Sequence, residues 1–156
     1  MANELPPHVV TKPTPPGVAA GVDEAMIERL VRGFYGRIRA DGMLGPIFTA
    51  AITDWEPHLA KMCAFWSSML LMTGSYDGRP VPAHLKIDGL GPAHFERWLE
   101  LFRATAHELC PPAAAALFID RAERVAQSLQ MSIDWHRGVL PPLKAPILAG
   151  KSRGED

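Results

Sequence analysis

The feature that most constrains the fold is the spacing of the apolar residues, which follows a helical period from about residue 22 to residue 138. Asp23 precedes a stripe in which apolar side chains recur every three or four positions, as on an amphipathic helix with an aspartate N-cap. The stripe consists of Met26, Ile27, Leu30, Val31, Phe34, Tyr35 and Ile38, and it ends near Asp41-Gly42. No segment alternates apolar and polar residues as a half-buried strand does. The sequence therefore predicts an all-α fold with about four long helices.

The second long helix is the most apolar part of the chain. It begins near Thr53-Asp-Trp-Glu56, the pattern of a capping box in which two side chains satisfy backbone N–H groups reciprocally. It is expected to stop before Gly74, and Gly45-Pro46 is expected to break the segment that precedes it. His58 shares its apolar face with Met62, Phe65 and Trp66.

Proline and glycine place the remaining helices. Residues 74–82 are a loop, and Pro82 can start a short helix that contains His84. Gly91-Pro92 starts a third long helix, and Pro111-Pro112 separates it from the fourth.

The ends of the chain differ in composition from its middle. Residues 1–21 hold five prolines and few residues that could pack, so they are expected to form a disordered tail. Residues 139–156 are expected to form a second flexible tail, which leaves an ordered domain at residues 22–138.

Composition narrows the class of protein. The chain has 156 residues, of which 47 % are hydrophobic and 21 % charged, as in one soluble globular domain. A net charge of −1 argues against a nucleic-acid partner. No apolar run is long enough for a membrane span, and no secretory signal is visible, so a cytoplasmic protein is expected. Cys63 and Cys110 form no metal or redox spacing and are expected to be reduced thiols.

Two histidines, His58 and His84, lie at the two ends of the most apolar segment. The histidines match no zinc pattern such as H-E-x-x-H or paired cysteines. A haem needs one axial imidazole, an apolar slot and a few polar groups on the other side. His84 could supply the imidazole. The residues that could line the slot are Phe34, Phe48, Met62, Phe65 and Phe102, and those that could donate hydrogen bonds are Tyr35, His58 and Trp98. The alternative from the residues alone is core packing in a haem-free helical interaction module.

The ordered region resembles the group III truncated haemoglobins of the globin superfamily. The segments that carry the likeness are FYGRIRADGMLGPIF at 34–48, DWEPHLAKMCAFWSSMLL at 54–71, GSYDGRPVPAHL at 74–85, HFERWLELFRAT at 94–105 and RAERVAQSLQM at 121–131. The resemblance implies a compact two-over-two helical sandwich that binds haem b.

The resemblance also implies a role for individual positions. His84 matches the proximal ligand of the haem iron, whereas His94, on the helix of the distal tryptophan, is not expected to bind it. Tyr35, His58 and Trp98 match distal residues that stabilise the bound ligand. Phe48 matches a phenylalanine that packs on the porphyrin. Lys61 matches a basic residue that reaches a haem propionate, although a solvated lysine explains it equally well.

A polar distal pocket implies what the haem is for. Several donors hold dioxygen tightly, which suits redox chemistry of dioxygen, nitric oxide or peroxide better than storage. The expected partners are dioxygen and other diatomic ligands. A nitric-oxide dioxygenase or peroxidase-like activity would need an external electron donor or reductase, and whether the chain is an enzyme stays open. The alternatives are a haem-based gas sensor and an oxygen carrier.

Overall fold

The computed structural model describes residues 13–78 and 89–138, and all regular structure in these ranges is helical. The helices are α1 (Pro16–Ala19), α2 (Glu24–Ala40), α3 (Leu44–Ala51), α4 (Trp55–Leu71), α5 (Pro92–Leu109) and α6 (Pro112–His136). The all-α prediction is confirmed for the part of the chain described. The predicted short helix at Pro82, and with it His84, lies outside the described residues. None of the described helices combines the length and apolar character needed to cross a membrane.

Three helix starts follow the sequence prediction. The Asp23 carboxylate accepts a hydrogen bond from the Met26 backbone N–H at 2.8 Å, and α2 begins at the next residue, Glu24. Pro92 and Pro112 are the first residues of α5 and α6. A proline is tolerated there because the first helical N–H has no partner within the helix.

The predicted capping box at the start of α4 is wrong. The helix begins at Trp55 with Asp54 as N-cap, and no side chain caps it. Glu56 instead accepts two hydrogen bonds from the Arg32 guanidinium of α2, at 3.0 and 3.2 Å. The glutamate therefore joins α4 to α2, and it does not turn back to its own backbone.

Gly45-Pro46 does not interrupt a helix, because both residues lie in the first turn of α3. Pro46 costs no hydrogen bond there, since the first N–H groups of a helix have no carbonyl to bind. Gly45 lets α3 approach the end of α2, because a Cβ at this position would lie 2.7 Å from the Arg39 carbonyl oxygen.

Packed structure begins before residue 22, inside the segment assigned to the N-terminal tail. Gly17 of α1 is buried, and a Cβ there would lie 2.7 Å from the Leu70 carbonyl oxygen. The short helix therefore rests against the end of α4, and Val22 also belongs to the core. Residues 1–12 and 139–156 lie outside the described ranges.

The long helices pack as two pairs. The first pair is α2 with α4, the second is α5 with α6, and α2 also packs on α5. The main hydrophobic cluster joins α2, α4, the second half of α5 and the first half of α6. A smaller cluster joins the start of α5 to the second half of α6 and consists of Leu90, Phe95, Ala126, Leu129 and Ile133.

Candidate functional site

A cavity of about 500 Å³ is lined by residues of both hydrophobic clusters. This volume falls within the range of pockets that hold small molecules and cofactors, roughly 300–1,000 Å³. The described lining is mostly apolar or aromatic. It comprises Phe34, Tyr35, Leu44, Phe48, Ala51, Ile52, His58, Lys61, Met62, Phe65, Trp66, Tyr76, Gly78, Leu90, His94, Phe95, Trp98, Val125, Ala126 and Leu129.

Most of the residues singled out from the sequence lie on this cavity wall. The ones that line it are Phe34, Tyr35, Phe48, His58, Lys61, Met62, Phe65 and Trp98. Phe102 does not line it. It is 1 % exposed and stacks on Trp98 and Trp66, with ring centroids 5.5 and 5.3 Å apart. Phe102 therefore supports the wall from behind.

Tyr35 and His58 meet at the wall between α2 and α4. Their ring centroids are 5.0 Å apart and the rings are perpendicular. Tyr35 is 7 % exposed, and burial raises the pKa of its phenol far above the usual value. The hydroxyl therefore stays protonated at neutral pH and can act as a hydrogen-bond donor in the cavity.

Trp98 of α5 is fixed by its aromatic neighbours. Its ring stands edge-to-face against Phe34, with centroids 5.2 Å apart, and lies nearly parallel to Phe102. The indole N–H is a donor that cannot accept a hydrogen bond. Packing on both sides restrains the indole at the cavity wall and limits the entropy that a polar contact there would cost.

Lys61 supplies a positive charge at the edge of the cavity. It lies on α4 one turn after His58, lines the cavity and is exposed to solvent. An ammonium group in this position can meet an anionic group of a ligand whose apolar part is buried.

His94 also lines the cavity, but its Nδ1 has a structural task. The Gly91 backbone N–H donates a hydrogen bond to this atom at 3.0 Å, so the imidazole caps the start of α5. The His94 side chain is half-buried at the cavity.

Several lining residues were not assigned to a site from the sequence. Phe95, Val125 and Leu129 are apolar residues of α5 and α6, and helical periodicity does not distinguish a cavity wall from a filled core. Tyr76 lies in the loop after α4, and its ring stands edge-to-face against Phe65 with centroids 5.2 Å apart. The only sequence signal for it was its place in the G-x-Y-x-G segment before His84.

The position of His84 itself lies outside the described residues, but the described chain reaches the cavity on both sides of it. Gly78, the last described residue before the gap, lines the cavity, and so does Leu90, shortly after it. Described residues close to both ends of the segment that carries His84 therefore line the cavity.

A helical sandwich around an apolar cavity, with tyrosine, histidine and tryptophan on its wall, has the features of a globin-like haem-binding protein. No protein-family model matches the chain. A curated relative, the group 3 truncated hemoglobin of Campylobacter jejuni, is 34 % identical over 113 residues, covering 70 % of this chain and 89 % of the relative. The chain therefore belongs to the group III truncated haemoglobins, a family of haem-binding globins.

Solved structures agree on the fold. The crystal structure of a group III truncated hemoglobin from Campylobacter jejuni matches with a TM-score of 0.68 and 34 % identity, covering 72 % of this chain and 91 % of that one. A variant of the group II truncated hemoglobin from Bacillus anthracis matches with a TM-score of 0.63 and 23 % identity, covering 76 % of this chain and 92 % of that one. These matches confirm the predicted two-over-two helical sandwich.

Proposed function

We propose that this globin holds haem b with His84 as the axial ligand of the iron, and that it binds dioxygen for redox chemistry and not for storage. The observation that carries the proposal is the contact between the buried Tyr35 ring and His58 on one wall of a mostly apolar cavity. Trp98 adds a third polar group to the lining. Bound haem would supply an iron centre that takes up diatomic ligands and exchanges electrons.

The described residues fit such a group by their chemistry. Phe34, Phe48, Met62 and Phe65 provide apolar and aromatic surface for the porphyrin, and Lys61 provides a cation at the solvent edge for a propionate. Phe102 would not contact the haem directly and would support Trp98 from behind. Gly78 and Leu90, which lie on either side of the segment that carries His84, both line the cavity, and this supports the assignment of His84.

The polar wall favours redox chemistry. Inside a cavity of low dielectric, donors held in place by packing interact strongly with a ligand on which negative charge develops. Tyr35 can donate through its hydroxyl, and Trp98 and His58 can donate through ring N–H groups. Such donors slow the release of dioxygen, which suits a carrier poorly, and they stabilise charge as the O–O bond polarises. We therefore propose nitric-oxide dioxygenation or peroxide reduction, with electrons from an external reductase.

The first experiment is to record absorption spectra of the ferric, ferrous and carbon-monoxide forms of the wild type, His84→Gly and His94→Gly. We expect a Soret band in the wild type that is lost in His84→Gly and restored by added imidazole, which replaces the missing side chain. His94→Gly is the matched control and should keep the wild-type spectrum. A His84→Gly spectrum identical to the wild type would reassign the iron to another residue. A wild type without a Soret band after hemin addition would contradict the haem itself.

The redox part of the proposal has a separate measurement. The consumption of nitric oxide by the oxygenated protein, and of peroxide by the reduced protein, is measured in the presence of an added reductase. Many turnovers are expected only if the reductase reduces the haem again after each one. A protein that binds dioxygen reversibly and consumes neither substrate would be an oxygen carrier or a gas sensor.

A further inference from the structure

We propose that Trp55 is a positioning residue that holds His58 at the cavity wall, and that Arg39 fixes Trp55 in this task. The inference rests on the proposed function, because it takes His58 as a residue that faces the ligand. Trp55 does not belong to the described cavity lining, so it acts through its neighbours and not on the ligand.

Two helices each contribute two side chains to this arrangement, here named the α2–α4 cluster. Tyr35 and Arg39 lie one turn apart on α2, and Trp55 and His58 lie one turn apart on α4. Residues three or four positions apart share one face of a helix, so each pair faces the other helix together. Side chains on a helix lean toward its N-terminus, which directs the His58 imidazole back over the turn that holds Trp55.

Trp55 contacts the other three members of the cluster. Its ring centroid is 5.7 Å from that of His58, with the rings nearly perpendicular, and 6.1 Å from that of Tyr35. The Arg39 guanidinium carbon lies 4.4 Å from the Trp55 ring centroid, in cation–π geometry. The half-buried indole is therefore held by a cation and at the same time packs against Tyr35 and His58 of the cavity wall.

The consequence concerns the freedom of His58. The imidazole is half-buried on the first turns of α4, and rotation about its χ1 angle is the simplest way to take it out of the cavity. Trp55 and Tyr35 both contact the imidazole ring edge-to-face and favour the inward rotamer. Without the indole, His58 would also populate rotamers directed away from the ligand, and the cavity would open more often.

The test uses the haem-loaded protein with carbon monoxide as probe, read by the C–O stretching band and by the association rate after flash photolysis. Trp55→Leu removes the ring and keeps an apolar side chain. We expect a second C–O band and an association rate of carbon monoxide about three- to tenfold higher than in the wild type. This factor corresponds to the loss of one or two aromatic contacts. Trp55→Phe keeps an aromatic ring and should show a single C–O band like the wild type. Arg39→Gln, at an exposed position, should show a second band weaker than that of Trp55→Leu.

The matched control is Leu59→Ala. Leu59 is a core residue of α4 that lies outside the described cavity lining, four positions after Trp55. It should lower stability and leave one C–O band, which separates loss of packing from loss of positioning. A Trp55→Leu spectrum equal to that of Leu59→Ala, with Arg39→Gln unchanged, would overturn the proposal.

His58→Ala and the double variant with Trp55→Leu separate this inference from the proposed function. If Trp55 acts through His58, the double variant should behave like His58→Ala alone. Additive effects would show that Trp55 acts by another route and would refute the inference only. If His58→Ala changes neither readout, His58 does not face the ligand, and both the distal assignment and this inference are wrong.

Discussion

At the scale of single residues, the environment of Tyr35 matters most for the proposed chemistry. Its ring contacts Phe34, Phe48, Trp55 and His58, which surround it on α2, α3 and α4. Because burial raises the pKa of this phenol, the hydroxyl remains a donor throughout the physiological pH range. A donor that is already ordered and protonated stabilises a bound ligand without further reorganisation.

Tyr35→Phe should therefore accelerate dioxygen dissociation from the haem-loaded protein by about 10- to 100-fold, the equivalent of one charge-assisted hydrogen bond. Stopped-flow displacement of dioxygen by carbon monoxide measures this rate. Tyr76→Phe is the matched control, since Tyr76 also lines the cavity but packs on Phe65, and it should change the rate less than about threefold. An off-rate in Tyr35→Phe equal to that of the wild type would remove Tyr35 from the proposed donors.

The sequence could identify Tyr35 of α2 and His58 of α4 as site candidates, because each bears a polar group on an apolar stripe. It could not tell a cavity wall from the layer behind it, since both follow the same helical period. Phe102 was assigned to the wall and lies behind it, whereas Phe95 was not assigned to the site and lines the cavity. The difference depends on how α5 packs against its neighbours, which no single helix encodes.

At the scale of helices, Asp41 joins three elements that surround the site. It follows α2, and its carboxylate accepts hydrogen bonds from the first N–H groups of α3 at Met43 and Leu44, at 3.1 and 2.9 Å. The same carboxylate binds Arg97 of α5 at 2.7 and 2.8 Å, and its side chain is 6 % exposed. Because α3 carries Phe48 and α5 carries Trp98, this junction sets the distance between two parts of the cavity wall.

The Arg97 guanidinium and, after it, the Leu44 N–H lower the pKa of Asp41. A depressed folded-state pKa contributes stability that is present above the unfolded value, about 3.9, and is lost as the pH falls through the folded value. Asp41→Asn should therefore lower the free energy of unfolding at pH 7 by about 1–3 kcal/mol, and the deficit relative to wild type should shrink below about pH 4. Urea denaturation across this pH range measures both.

Glu100→Gln is the control for Asp41→Asn. This substitution removes the other carboxylate bound to Arg97. Because the Glu100 side chain is 63 % exposed, the loss should lower the free energy of unfolding by less than about 0.5 kcal/mol. Equal losses of stability in the two variants would mean that the junction at Asp41 contributes no more than an exposed ion pair.

The same principle explains why the capping box predicted at Thr53-Asp-Trp-Glu56 does not form. A carboxylate binds the strongest donor that tertiary packing brings near, and for Glu56 that donor is Arg32.

At the scale of the whole molecule, the cavity divides the hydrophobic interior into two unequal parts. The main cluster is continuous through α2, α4, α5 and α6, with Ile27, Leu30 and Phe118 fully buried. The smaller cluster at Leu90, Phe95, Ala126, Leu129 and Ile133 contributes four of its five members to the cavity wall. Its apolar surface is therefore completed by whatever fills the cavity, whereas the main cluster is packed mostly by the chain itself.

Haem binding should consequently stabilise the two parts to different degrees. At a free haem concentration 100 times its Kd, the free energy of unfolding should rise by about 2.7 kcal/mol. Hydrogen exchange of the protein with and without haem should show the largest gain in protection at residues 90–99 and 122–133, because local opening there exposes the surface that haem covers. The amides of residues 26–31 in α2 serve as the internal control, since the buried side chains of this segment lie outside the described cavity lining. Equal gains of protection in both regions would indicate that haem stabilises the fold as a single cooperative unit. That result would contradict the division of the interior into two parts.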